Sequence, residues 1–181
     1  MIARLAAVFA LVLAVAAPAA AQAPSPDNIL VLETSKGPVE IALRPDLAPN
    51  HVERIKTLAN EGFYDGVPFH RVIDGFMAQT GDPTGTGTGG SDYPDLKAEF
   101  TNTPYERGTV GMARAQSPNS ANSQFFIMFG RTPSLDGQYT VFGQVIDGMD
   151  VVDAIKKGSR SANGQMSNPD QITKAYIKAN Q

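Results

Sequence analysis

Cysteine and tryptophan are absent from this 181-residue chain, and histidine occurs only twice. Without cysteine there is no disulfide framework, no thiolate nucleophile and no lipid attachment to an N-terminal cysteine. Stability must therefore come from core burial, which a chain of this length supplies unaided. His51 and His70 lack any H-x-x-x-H or comparable spacing, so no metal site is expected. Neither sign of charge dominates, with 15 Lys and Arg against 18 Asp and Glu. That balance argues against a nucleic-acid-binding surface, which would show clustered basic residues. A long apolar run occurs at Leu5 to Ala17, shorter than the ~20 residues a spanning helix needs. Preceded by Arg4 and followed by the small residues Ala19-Ala20-Ala21, it reads as a signal peptide of residues 1–21. The mature chain is then expected to start at Gln22, with residues 22–28 a short linker and 29–181 one domain, exported to the periplasm or secreted beyond it.

Glycine and proline are plentiful, at 17 and 13 residues, which suits many turns between short strands better than a helical fold. From Ile29, "ILVLETSKGPVEIALR" reads as two strands around a hairpin at Ser35-Lys36-Gly37. "APNHVERIKTLANEG" follows as a helix, with Pro49 in its first turn, Val52, Ile55 and Ala59 on one face and Gly62 as its stop. Strands are expected near Pro68 to Ile73, Phe76 to Thr80, Thr109 to Arg114, Phe125 to Phe129 and Val141 to Val145, with Asp74-Gly75 as a tight turn. A second helix is expected over Met149 to Lys157, stopped by Gly158. In the last strand Ile172, Lys174, Tyr176 and Lys178 are expected on one side, and Thr173, Ala175 and Ile177 on the other. Antiparallel strands with two helices predict a mainly β fold, an eight-stranded closed barrel capped by the helices.

Three motif candidates carry little. Gly85, Gly87 and Gly90 match G-x-G-x-x-G, but Pro94 follows where a helix should open, so a mobile surface loop is expected rather than a phosphate cradle. His70 reads as a packed or hydrogen-bonded residue. Ser117 and Ser123 lack a nucleophile elbow, and a Ser-His-Asp triad has no support. The segment "FHRVIDGFMAQTGD" is different, because it sets Arg71 among apolar and aromatic residues. Strand parity places Phe69, Arg71 and Ile73 on one face, and Met77 and Gln79 on one face beyond the turn. In "SQFFIMFG", Gln124, Phe126 and Met128 alternate with Phe125, Ile127 and Phe129. Residue chemistry leaves two readings of Arg71 open: a surface arginine paired with a carboxylate, or a functional donor.

The stretches "FHRVIDGFMAQTGD", "GTVGMARA", "NSQFFIMFG" and "SLDGQYTVFGQVIDGMDVVDAI", in that order, resemble the cyclophilin-type peptidyl-prolyl cis/trans isomerases. The resemblance runs from about Ile29 to Lys178 and implies the family's eight-stranded antiparallel barrel with a helix over each end. It implies that Arg71 is catalytic and that Gln79 holds it in place. Phe76, Met77, Phe126 and Leu135 would wall the pocket for the substrate proline, Gln124 would contact the peptide, and Tyr139 would complete the rim. The backbone at Ala113-Arg114 would pair with the residue before proline. No cofactor or metal is implied. The implied partners are proline-containing peptides and unfolded exported proteins, for a monomer with no nucleic-acid or membrane partner once the signal is cleaved. The alternatives are a non-catalytic proline-peptide-binding module on the same fold and a small-molecule barrel in which Arg71 grips a carboxylate. Three positions depart from the family pattern: Ser134 where many members carry Trp, Tyr139 where many carry His, and Arg114 where many carry Asn. The first implies weak binding of cyclosporin, which that Trp contacts. Arg114 is expected to contribute mainly its backbone.

Overall fold

The computed structural model describes residues 23–181, so the expected signal peptide lies outside the described residues. Eight strands form one antiparallel sheet: β1 (Ile29–Thr34), β2 (Gly37–Leu43), β3 (Arg71–Ile73), β4 (Met77–Thr80), β5 (Thr109–Met112), β6 (Phe125–Met128), β7 (Val141–Asp147) and β8 (Ile172–Ile177). Their spatial order is β3-β4-β6-β5-β7-β2-β1-β8. The expected closed barrel is not what forms, because β3 and β8 do not join in a ladder and the sheet is open there. An isolated bridge between Pro68 and Gln171 spans that gap, with the Phe69 N–H donating to the Asp170 carbonyl at 2.8 Å. Gly66 and Val67 add two more backbone bonds to Ile172, at 2.8 and 2.9 Å, so the gap is bridged without a regular ladder.

Two helices pack on this sheet: α1 (Pro49–Asn60) against β7 and β8, and α2 (Met149–Ala154) against β2. α1 buries His51, Val52, Ile55, Leu58 and Ala59, the stripe expected of an amphipathic helix. Its N-cap residue, Ala48, has no side chain to offer the free N–H groups. Glu99 supplies the cap from a distant loop: its carboxylate accepts from the Asn50 N–H at 3.2 Å and the His51 N–H at 3.1 Å. α2 ends earlier than expected, because Ile155 turns extended and the Lys156 N–H donates to Asp170. Gly158 is no helix stop. A Cβ there would lie 2.2 Å from the Gly164 carbonyl, so it permits two backbone segments to pass closely. Ahead of β1, Pro26–Asn28 form a 3₁₀ turn, and the Asn28 side chain accepts from Lys56 Nζ at 2.7 Å.

One face of the curled sheet holds the main core, built from residues such as Leu30, Ile41, Val110, Phe125 and Phe142 together with the buried faces of both helices. The other face carries a smaller cluster of Ile73, Met77, Tyr105, Phe126, Met128 and Val141. β6 divides as alternation requires, Phe125 and Ile127 facing in, Phe126 and Met128 out. Two parity expectations fail. Phe69 joins the main core with Val72 instead of sharing a face with Arg71, because residues 67–70 are not regular strand. In β8, Thr34 pairs with Ile172 while Glu33 pairs with Lys174, so Thr173 is bulged out. The bulge brings Ile172 to the same buried side as Ala175 and Ile177.

Candidate active site

Strand register assembles the site on the outer face. Arg71 pairs with Gln79, Gln79 with Phe126, and Phe126 with Gly111, making one transverse row across β3, β4, β6 and β5. Beside it runs a second row, Ile73–Met77–Met128. The β3–β4 connection is a three-residue loop rather than a two-residue turn, since Ile73 pairs with Met77. Gly75 takes a φ of 71° within it, and the third loop residue, Phe76, packs against the outer cluster while its carbonyl accepts from the Phe129 N–H at 2.9 Å.

A hollow of about 130 Å³ opens over these rows, lined by Arg71, Phe76, Met77, Gln79, Ala113, Arg114, Phe126, Leu135 and Tyr139. Every expected site residue except Gln124 therefore converges on one small pocket. Aromatic and aliphatic side chains share its walls with Arg71, Gln79 and Arg114: the Phe126 ring stacks on Tyr105 with centroids 5.6 Å apart and meets Tyr139 edge-on at 5.8 Å. Gln124 lies in an adjoining hollow of about 480 Å³. That larger hollow, floored by Gly87 to Ser91 and bounded by Asp95, Ser120 and Asn122, was not foreseen from the sequence. Arg114 borders both hollows. The guanidinium stacks over Tyr139 and donates to the Gln138, Ala115 and Gln116 carbonyls.

Arg71 is half-buried and held by neutral acceptors. Nε donates to the Asn163 carbonyl at 3.2 Å, one terminal nitrogen to Gln79 Oε1 at 3.1 Å, and the other to Asn163 Oδ1 at 3.1 Å. A softer contact reaches Met77 Sδ at 3.8 Å. A guanidinium has five N–H donors. These contacts leave one free and a second against sulfur only. Burial pushes the Arg71 pKa down, yet an arginine so placed stays charged. No carboxylate forms an ion pair with it among the described residues, which removes the surface salt-bridge reading. Asn163 was missed by sequence reasoning, being 92 positions away and marked only by its left-handed backbone, φ 51°.

The other candidates resolve simply. The glycine run is not loose: it wraps the buried Asp82, whose carboxylate accepts from the Gly87 N–H at 2.7 Å and the Gly89 N–H at 3.1 Å. The N–H groups that a phosphate would need are thus spent on the chain's own anion. Ser123 is fully buried and donates to the Gly81 carbonyl at 2.8 Å, so it serves no triad. His70 is packed at 4% exposure with neither ring nitrogen hydrogen-bonded. No cluster of three or more His, Cys, Asp or Glu suited to a metal occurs among the described residues. The sheet's inner face is filled by the main core, and both hollows lie outside it, unlike a ligand-holding barrel.

The sequence model of the family described as "Cyclophilin type peptidyl-prolyl cis-trans isomerase/CLD" matches residues 29–177. The chain belongs to the cyclophilin-type peptidyl-prolyl cis/trans isomerases. A "Probable peptidyl-prolyl cis-trans isomerase" of Brucella suis biovar 1 is 57% identical over 178 residues, covering 92% of this chain and 91% of the relative. A peptidyl-prolyl cis-trans isomerase of Synechococcus elongatus is 45% identical over 132 residues, covering 72% of this cyclophilin and 90% of its own length. Among solved structures, the cyclophilin AquaCyp293 of Hirschia baltica superposes with a TM-score of 0.79 at 29% identity, over 88% of this chain and 77% of that one. A Cryptosporidium parvum cyclophilin type isomerase, crystallised in the presence of the dipeptide Ala-Pro, superposes with a TM-score of 0.75 at 30% identity, over 82% and 98%.

Proposed function

We propose that this cyclophilin accelerates rotation about X–Pro bonds in exported polypeptides, with Arg71 as the catalytic residue and the outer-face pocket as the proline site. The observation that carries the reading is a guanidinium without a carboxylate partner, held by neutral acceptors with one N–H unspent, lining a small hollow that it shares with Phe76, Met77, Phe126, Leu135 and Tyr139. Peptide-bond rotation is opposed by C–N double-bond character, a barrier of ~18–20 kcal/mol. No bond breaks, so the reaction calls for neither nucleophile nor metal. In the twisted amide the nitrogen regains its lone pair. A fixed N–H aimed at that nitrogen, or at the carbonyl oxygen, stabilises the twisted state more than the planar one. Phe76, Met77, Phe126, Leu135 and Tyr139 hold the proline ring and keep the surroundings of the charge poorly screened.

Peptide pairing falls to the edge after β5. The Ala113 N–H is already committed to the Gln124 carbonyl at 2.9 Å, which leaves the Ala113 carbonyl and the Arg114 N–H for a peptide strand. The apolar run at Leu5 to Ala17 and the small residues after it support export, and with it a role among unfolded chains in the periplasm or outside the cell. The test is direct. Mature protein from Gln22 onward is assayed for cis-to-trans conversion of a short X–Pro peptide, beside Arg71→Ala and Phe126→Ala. Acceleration by the unmutated protein, lost in both variants, is expected. A peptide-binding module without turnover would bind the peptide and leave its isomerisation rate unchanged.

A further inference from the structure

The hydrogen bonding that holds Arg71 does not end at Gln79. Gln79 Nε2 donates to Gln124 Oε1 at 2.9 Å, and Gln124 Nε2 donates to the Gly89 carbonyl at 2.8 Å and the Gly87 carbonyl at 3.1 Å. Those same two glycines give their N–H groups to Asp82. Each link therefore has one permitted direction. A backbone carbonyl only accepts, so Gln124 must turn its amide nitrogen to the loop and its oxygen to Gln79. Gln79 must then present nitrogen to Gln124 and oxygen to Arg71, since a guanidinium only donates. Reversing either amide would set donor against donor or acceptor against acceptor.

Asp82 is the fixed end of this chain. It is 0% exposed, and its Oδ1 also accepts from the Thr84 N–H and hydroxyl, each at 2.8 Å. Burial works to raise its pKa, but the hydrogen bonds from Thr84, Gly89 and Gly87 outweigh that and hold it at about 2. The loop is wrapped so closely that a Cβ on Gly89 would lie 2.2 Å from Oδ1. We propose that Asp82 is a positioning residue for Arg71, fixing the guanidinium through Gly87, Gly89, Gln124 and Gln79. Nothing in this role requires Asp82 to touch a substrate. It orients the donor before substrate arrives, so its effect belongs in the turnover step rather than in peptide capture. The inference rests on the isomerase reading of the site.

Asp82→Asn tests it, because the change keeps the size while turning one acceptor into a donor that faces N–H groups. The variant is expected to fold, by circular dichroism and cooperative melting, with kcat lowered at least about tenfold and KM little changed. The nitrogen-15 side-chain amide signals of Gln79 and Gln124 should shift toward unbonded positions. In a Gln79→Ala background Asp82→Asn should lower kcat no further, since both act through one chain. A folded Asp82→Asn with parent kcat, or losses that add independently to those of Gln79→Ala, would overturn the proposal. Should Asp82→Asn not fold, Gln124→Met severs the same chain at its next side chain: kcat should fall at least about tenfold and the Gln79 side-chain amide signal should shift, and parent kcat with an unmoved Gln79 signal would overturn the proposal. A parent protein that does not isomerise the peptide would instead overturn the isomerase reading, while the amide signals would still test the relay.

Discussion

The Arg114 guanidinium lies over the Tyr139 ring, with its central carbon 4.5 Å from the ring centroid. Both nitrogens that do not face Ala115 and Gln116 donate to the Gln138 carbonyl, at 3.3 and 3.0 Å. One side chain thus ties the segment after β5 to the loop before β7, across the wall between the two hollows. Here a cation lies on an electron-rich face. A stack of this type contributes about 0.5–2 kcal/mol. Arg114→Ala should therefore free the Tyr139 edge of the proline pocket. We expect KM for an X–Pro peptide to rise severalfold with kcat largely kept, and Arg114→Lys to restore little, because a point charge lacks the planar fork. An unchanged KM in Arg114→Ala would show that the stack does not shape the pocket.

Gly111 marks a second constraint, beneath Phe126. A Cβ at this position would lie 2.3 Å from the Tyr105 hydroxyl and 2.9 Å from Phe126 Cζ. Tyr105 is fully buried, and its hydroxyl has no hydrogen-bond partner. Gly111→Ala must push Tyr105 or Phe126 aside, an overpacking that typically costs 1–3 kcal/mol. Since Phe126 is the pocket floor, activity should fall together with stability. Tyr105→Phe removes an unsatisfied buried hydroxyl and should leave the melting temperature equal or higher. Combined with Gly111→Ala it should recover part of the loss. A marked drop in melting temperature for Tyr105→Phe alone would mean that the hydroxyl is satisfied after all.

These two cases also show what sequence patterning could and could not supply. Alternation in "FFIM" divided β6 correctly because every residue there is in regular ladder, and Arg71, Gln79 and Phe126 were brought together by register. Parity failed at Phe69 and Ile172, where an irregular segment and a bulge change the count of residues per face. Sheet closure was not legible for the same reason: it depends on the irregular segment before β3. Glu99 as the cap of α1 and Asn163 as a partner of Arg71 are contacts between distant positions with no local signature. Asp82 stood in plain view within "QTGD", but its role depends on how the following glycines fold around it.

The position expected to govern cyclosporin binding is Ser134. It is exposed within the 3₁₀ turn Pro133–Leu135, next to the pocket residue Leu135. A serine offers none of the apolar area or indole donor of the tryptophan found there in many cyclophilins. Inhibition should accordingly be weak, and Ser134→Trp should strengthen it on the order of tenfold or more, the scale of an aromatic hot spot. Titrating cyclosporin into the isomerase assay for both proteins decides the matter. Parent affinity already equal to that of the tryptophan variant would contradict it.

Acid should destabilise this protein at a pH where most carboxylates are still ionised. The two histidines of the chain are both buried, at 0% for His51 and 4% for His70. Burial lowers the pKa of each from 6.5, outweighing Glu99 beside His51 and Asp82 near His70. Below about pH 6.5 the unfolded chain therefore binds protons that the folded protein refuses, and stability falls as pH drops toward the folded-state values. Glu99 adds to the loss at lower pH. Burial acts to raise its pKa, but bonds from His51 and Asn50 hold it below the usual value, so its contribution disappears once it is protonated. Urea unfolding at pH 7.5 and 5.0 should give a lower free energy at the acid pH. His70→Gln, remote from the helix cap, should flatten that slope, and Glu99→Gln should cost about 1 kcal/mol already at neutral pH by weakening the cap of α1. Equal stability at the two pH values would show that the folded protein accepts these protons as readily as the unfolded chain.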